Sequence, residues 1–388
     1  MTDTREAGDG GEKGGVADER IPITLVSGPL GAGKTTLVNH LLRNAGGRRI
    51  AVVLNDMGEV NVDAELVERE SEDEGIVDLS NGCICCRLSG DLLDSLDRLA
   101  RERDFDHLVV EASGISEPLP IARTLSGGDG EGPDPTGRYR LDTLVTVVDC
   151  YGFWKEFDAG AALPAGYDPD RPLADVLVEG IEFCDVLLLN KCDLVPDDAM
   201  DDIEGVVRRL GPRAAVHRTT ESAIDPERVL DTGRFDLGAA QREQGWKREL
   251  AGRHDPDGDG VHAGHDHAGR SAAEAHGVES VVYQRDRPFN PVRFAGFLES
   301  WDGSVVRAKG FCWLASRPEE VIGLSQAGPS LRAGPIGEWG GDDPATRLVF
   351  IGRELDEETL TAGLDDCLVD EGEAWVGEDP FPMETLLR

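Results

Sequence analysis

The chain has 388 residues, with 76 Asp plus Glu against 39 Lys plus Arg and a formal net charge of -37. A field of that sign repels duplex nucleic acid and anionic lipid, which excludes a general nucleic-acid binder and a membrane-surface protein. Hydrophobic residues still make up 39% and Trp numbers six, so this is a folding chain and not a disordered acidic one. The acidity is spread along the whole length, the pattern of proteins that work where concentrated salt screens self-repulsion, so a high-salt cytoplasm is the expected setting.

Residues 1–20 are rich in Gly, Asp and Glu and read as a disordered acidic tail with no apolar core of a signal peptide. A short β-favouring run at 21–26 leads straight into Gly28-Pro29-Leu30-Gly31-Ala32-Gly33-Lys34-Thr35-Thr36, and helical character follows at 37–42. Further brief apolar strands are expected at 50–54, 75–79, 106–110, 141–148 and 185–189, with an amphipathic helix at 88–101. Stretches 126–140 and 158–172, dominated by Gly, Asp and Pro, read as surface excursions. A helix over 201–210 and a strand near 214–218 complete the first unit, taken as 21–236. Buried strands alternating with helices predict an α/β unit with a largely parallel sheet.

Residues 237–277 contain little able to form a core and read as a His-containing flexible linker. Structure is expected to resume at 278 in a smaller α+β domain reaching 388. It would contain strands at 278–283, 304–314 and 347–351, and a last helix around 357–366. No run approaches eighteen apolar residues, so no transmembrane span is expected. The eight cysteines are too unevenly grouped for a disulfide framework, which favours a reducing cytoplasm and metal chemistry.

Gly28, Gly33, Lys34 and Thr35 complete the pattern G-x-x-x-x-G-K-[ST] between a strand and a helix. Gly28, Gly31, Ala32, Gly33 and Thr36 are expected to turn backbone N–H groups toward phosphate oxygens. Lys34 would reach the β- and γ-phosphates, and Thr35 would hold Mg²⁺. Asn190-Lys191-Cys192-Asp193 follows a strand directly. Asp193 can accept the ring N–H and exocyclic amine of guanine, whereas adenine would leave the carboxylate unpaired, so GTP is expected over ATP. Asn190 and the Lys191 stem would steady that loop.

Glu111, ending a strand, is the candidate acid for Mg²⁺ or for the attacking water; the plainer reading is a solvated strand end. Asp149 closes 145–148 with a weaker claim, to switch machinery or to no function at all, and no general base can be named. Cys83, Cys85 and Cys86 lie within four residues. Three convergent thiolates suit Zn²⁺ or another soft ion with a fourth position open; a buried thiol cluster or a redox site are the alternatives. His262, His265 and His267 offer a weak second capture site for Zn²⁺, Ni²⁺ or Co²⁺, against a plain solvated linker.

Together these residues resemble the CobW-like metallochaperone GTPases among the P-loop proteins. Cys83-Ile84-Cys85-Cys86 matches the family's Cys-x-Cys-Cys, and Glu111 to Pro118 resembles its stretch after the central strand. Asn55-Asp56-Met57-Gly58-Glu59 resembles its Asn-Glu-Phe-Gly-Glu; Asp56 and Met57 depart from it, and Glu59 keeps the acid as a candidate metal-site carboxylate. Segments 287–294, 307–315 and 347–360 look like the C-terminal CobW-type domain, so the likeness covers 21–368. The resemblance implies a P-loop NTPase fold joined to a small C-terminal α+β domain. It implies a slow GTPase, often dimeric, that hands a divalent metal to a client metalloprotein. That metal is most often zinc, and cobalt in the cobalamin branch. The alternatives are a cobalt or nickel cofactor-assembly GTPase and a non-enzymatic metal-storage protein.

Overall fold

The computed structural model describes residues 20–54, 76–78, 89–114, 118–127, 137–158, 173–242, 247, 278–300, 305–328, 330–353, 355–370 and 377–386. The first unit begins with β1 (Ile21–Ser27), α1 (Lys34–Arg43), β2 (Ile50–Leu54), β3 (Ile76–Asp78), α2 (Ser89–Glu102), β4 (His107–Glu111) and α3 (Pro118–Leu125). It continues through β5 (Tyr139–Asp149), α4 (Cys150–Asp158), α5 (Leu173–Phe183), β6 (Val186–Asn190), α6 (Asp197–Leu210), β7 (Ala215–Arg218) and α7 (Leu237–Arg242). Helix α7, with the Asp236 carboxylate accepting from Ala239 N–H at 2.7 Å, opens the stretch whose composition reads as linker.

Its seven described strands lie in the order β3-β2-β4-β1-β5-β6-β7, every pairing parallel. Parallel strands are covered on both faces, and the two-residue alternation divides their side chains cleanly. Ile23, Leu25, Leu187 and Leu189 face the core built with α2, α3, α5 and α6. Val26, Val145, Val147, Val186 and Leu188 face the core closed by Leu37, Val38 and Leu41 of α1. Because β1 is central, the chain leaves it in mid-sheet, where the carboxyl ends of the neighbouring strands surround the loop that follows.

The second unit contains β8 (Val278–Arg285), α8 (Pro291–Glu299), β9 (Val305–Leu314), β10 (Arg317–Ala327), β11 (Ser330–Glu338), β12 (Thr346–Arg353), α9 (Glu357–Asp365) and β13 (Met383–Leu386). They form an antiparallel sheet in the order β13-β11-β10-β9-β12-β8. One face is covered by Phe294, Ala295 and Leu298 of α8 and Leu364 of α9. Asn290 accepts from Val292 and Arg293 N–H and starts α8; Asp356 caps α9 in the same way.

From the opposite face, Val278, Val306, Ala327, Val349 and Ile351 join the core of the first unit. The contact is charged as well as apolar. Asp175, Glu179 and Glu182 recur along one stripe of α5. Glu182 receives Arg307 Nε at 2.9 Å, with each side chain 1% exposed, and Asp175 receives Ser330 Oγ at 2.7 Å and Arg332 at 3.0 Å. Burial pushes the Glu179 carboxyl up and the Lys309 ammonium down from their ordinary values, so this junction is a desolvated polar seam.

A second buried polar group lies under the other end of the parallel sheet. The Thr24 hydroxyl donates to Val229 C=O at 2.8 Å, so His107 Nε2, 2.9 Å away, must be the donor to Thr24. Burial then holds the imidazole neutral, its pKa lowered to about 4 despite the Asp231 carboxylate 3.7 Å from Nδ1.

Candidate functional site

The loop after β1 runs through left-handed backbone at Gly28, Gly31 and Gly33, with φ of 134°, 77° and 108°. Two of these glycines are also sterically required. A Cβ on Gly28 would enter the Val147 carbonyl, and one on Gly33 would enter the Asn190 side-chain amide. Gly114, in the loop after β4, supports the phosphate loop from the side, since a Cβ there would lie 2.6 Å from Leu30 N. Ala32 is fully buried, and Thr36 is exposed on the first turn of α1.

Lys34 and Thr35 open α1 with the positive end of the helix beneath the loop. The Lys34 side chain is only 6% exposed and its ammonium donates to Pro29 C=O at 3.2 Å, arching back across its own loop. The Thr35 hydroxyl donates to Glu111 Oε1 at 3.0 Å. Glu111 ends β4, the neighbour of β1, with Val26 and Glu111 in register, so its carboxylate comes to the loop by strand pairing. Two oxygen donors of the kind Mg²⁺ prefers therefore meet beside the first turn of α1.

The side that carries the Asn190 to Asp193 motif is built at the ends of β5 and β6. Asn190 Nδ2 donates to Ala32 C=O at 2.8 Å, and its Oδ1 accepts from Ser222 N–H at 2.8 Å and Thr219 Oγ1 at 3.2 Å. The Ser222 hydroxyl donates to Gly33 C=O at 2.9 Å. One amide thus joins the phosphate loop, the end of β6 and the loop after β7. Thr219 and Ser222 were not assigned a role from sequence; their place directly after β7 is the signal that identifies them. Lys191, Glu221 and Ser222 take positive φ of 61°, 52° and 53°, marking where the backbone bends after β6 and β7. Asp193, in a single 3₁₀ turn at Cys192–Leu194, is exposed with no buried surroundings to hold it from a ligand.

Asp149 lies beside the Asn190 to Asp193 motif: its Oδ2 is 2.6 Å from Lys191 Nζ. The reason is register, since Asp149 and Asn190 are cross-strand partners on β5 and β6.

Cys83, Cys85, Cys86, Glu59, His262, His265 and His267 lie outside the described residues. Among the described residues no group of three His, Cys, Asp or Glu side chains is arranged to hold a metal ion, and no helix is long and apolar enough to cross a membrane. Cys150, Cys184, Cys312 and Cys367 are buried and Cys192 half-buried, all as free thiols. Burial raises the pKa of each, which marks them as packing residues.

Residues 22–218 match the family model described as CobW/HypB/UreG, nucleotide-binding domain. The chain belongs to the CobW family. Residues 278–368 match the cobalamin synthesis protein cobW C-terminal domain, so both units fall within one family architecture. Zinc-regulated GTPase metalloprotein activator 1 of Dictyostelium discoideum is 35% identical, over 93% of this chain and 82% of that protein. Zinc chaperone YjiA of Escherichia coli is 29% identical, over 88% and 97%. Zinc chaperone CobW of Pseudomonas aeruginosa is 28% identical, over 90% and 92%. As a P-loop GTPase of the CobW family, the chain is a nucleotide-binding, GTP-hydrolysing enzyme with a largely parallel α/β nucleotide unit and a distinct C-terminal domain.

Proposed function

We propose that the chain is a GTP-dependent metallochaperone that uses nucleotide turnover to hand a divalent metal, zinc in the first place, to a client metalloprotein. The observation that carries the GTPase half is the bridging amide of Asn190, which ties a glycine-rich phosphate loop to a guanine-type motif. Relatives named as zinc chaperones and a zinc-regulated GTPase support zinc as the cargo. Cys83, Cys85 and Cys86 would be its thiolate ligands, with the fourth position left open for transfer.

In this reading the backbone of 28–33 and the N-terminus of α1 cradle the phosphates, and Lys34 places positive charge on the transferring group. Thr35 and Glu111 would hold Mg²⁺, which when bound neutralises charge on the phosphate oxygens. Asp193 reads the base. Orientation and charge do the catalytic work, so the rate would be slow until metal or client completes the site. The acidity along the chain supports operation in a high-salt cytoplasm, where Lys34 and Mg²⁺ need not compete with an unscreened anionic field.

The test is anaerobic purification with metal analysis, then GTP and ATP hydrolysis in molar KCl with Zn²⁺, Co²⁺ or Ni²⁺. The expected result is hydrolysis of GTP over ATP, co-purified zinc and stimulation by zinc. Stimulation by cobalt or nickel alone would move the chain to cofactor assembly. Tight metal with no hydrolysis would make it a storage protein.

A further inference from the structure

We infer that Asp149 is a positioning residue for guanine recognition, acting by holding the ammonium of Lys191. The inference rests on the guanine reading of Asn190 to Asp193. Asp149 divides its two carboxylate oxygens between two tasks. Its Oδ1 accepts from Tyr151 and Gly152 N–H, both at 3.1 Å, and so starts helix α4. Its Oδ2 takes Lys191 Nζ at 2.6 Å.

Lys191 needs such a partner. It leaves β6 in left-handed backbone with φ of 61°, and its long stem starts at the carboxyl end of the strand with a third of its side-chain surface exposed. A lysine ammonium is a strongly hydrated point charge on a stem with many rotamers. Without an anchor the stem would sample solvent, and ordering it would weaken each binding event. Asp149 is itself anchored by two backbone N–H groups and by register with Asn190, so it fixes the far end of Lys191 before ligand arrives. Neither charge is fully buried, so the pair adds little to global stability; its effect is on where the stem lies.

Asp149→Asn separates the two tasks, because an asparagine side chain still caps a helix but cannot hold the ammonium by charge. Lys191→Met keeps an apolar stem and removes the ammonium. KM and kcat for GTP, and the Kd of a fluorescent GDP, are measured for wild type, each variant and the double variant. Thermal unfolding is followed in parallel, and Asp149→Ser is a second capping variant if Asp149→Asn fails to fold.

The expected result is a KM and a GDP Kd raised roughly tenfold in Asp149→Asn with kcat retained, and a double variant no weaker than Lys191→Met alone. Wild-type KM in Asp149→Asn would overturn the inference. So would a fall in kcat at constant KM, or losses that multiply in the double variant. If wild type itself shows no preference for guanine over adenine nucleotides, the guanine reading fails first and the positioning role fails with it.

Discussion

Lys34→Ala is expected to lower GTP turnover by about two to three orders of magnitude, the effect of removing one preorganised charge from a phosphoryl-transfer site. The side chain is buried and already arched over its loop by a bond to Pro29 C=O, so the ammonium requires little reorganisation when phosphate arrives. Its removal leaves Mg²⁺ and backbone N–H groups to hold the phosphates inside a protein of net charge -37. Lys34→Arg should recover little, since a planar fork cannot follow the same arch across the loop. Phosphate release under single-turnover conditions measures the loss. Metal transfer to a client should fall in parallel; transfer unchanged in the variant would point to a storage protein instead.

Glu182→Ala is expected to destabilise the chain by about 3–5 kcal/mol, because it strands the Arg307 guanidinium in the seam between the two units. Arg307 keeps its bonds to Ser325 Oγ at 3.0 Å and Gln326 C=O at 3.2 Å, but neither neutralises it. The double variant Glu182→Met, Arg307→Met should return most of the stability, since apolar isosteres of a buried pair are often tolerated. Urea midpoints of the three proteins decide this, and a double variant no better than Glu182→Ala would show that the charges are individually required.

The seam also bears on nucleotide handling. The Thr146 hydroxyl donates to Gly180 C=O of α5 at 2.9 Å, so Ser27 Oγ, 2.9 Å from Thr146 Oγ1, is the donor to it. Helix α5 is therefore linked through Thr146 to Ser27, the last residue of β1 before the phosphate loop, on one side and bonded to Arg307 of the second sheet on the other. A shift in one has a packed route to the other.

The nucleotide site was legible because its chemistry dictates local sequence. Gly28 is needed where backbone passes backbone and Gly33 where the Asn190 amide packs against the loop, and Thr35 meets Glu111 as their strand–loop–helix context requires. The parallel strands were legible as short apolar runs, although β5 extends to Tyr139–Asp149, beyond the expected 141–148. What escaped sequence was pairing over long separation. The Asp149–Lys191 contact depends on the register of β5 with β6, which no local pattern carries.

The β10–β11 hairpin was not foreseen. Arg317 to Glu320 open β10 with no apolar alternation and Gly334, Pro335 and Gly337 interrupt β11, so neither strand shows a clean apolar pattern. The acidic stripe of α5 escaped for another reason. In a chain with 76 acidic residues, nothing local sets Asp175, Glu179 and Glu182 apart until the second sheet is placed against them.

Nucleotide turnover that hands over a metal requires nucleotide state and metal affinity to be coupled, and by linkage the coupling must be equal in both directions. Metal-buffered zinc titration of the full chain, in molar KCl, with a non-hydrolysable GTP analogue, with GDP and without nucleotide, measures it directly. A zinc Kd that differs at least fivefold between the GTP-analogue and GDP states is the predicted result, the lower end of ordinary allosteric coupling. Identical affinities in all three states would contradict it.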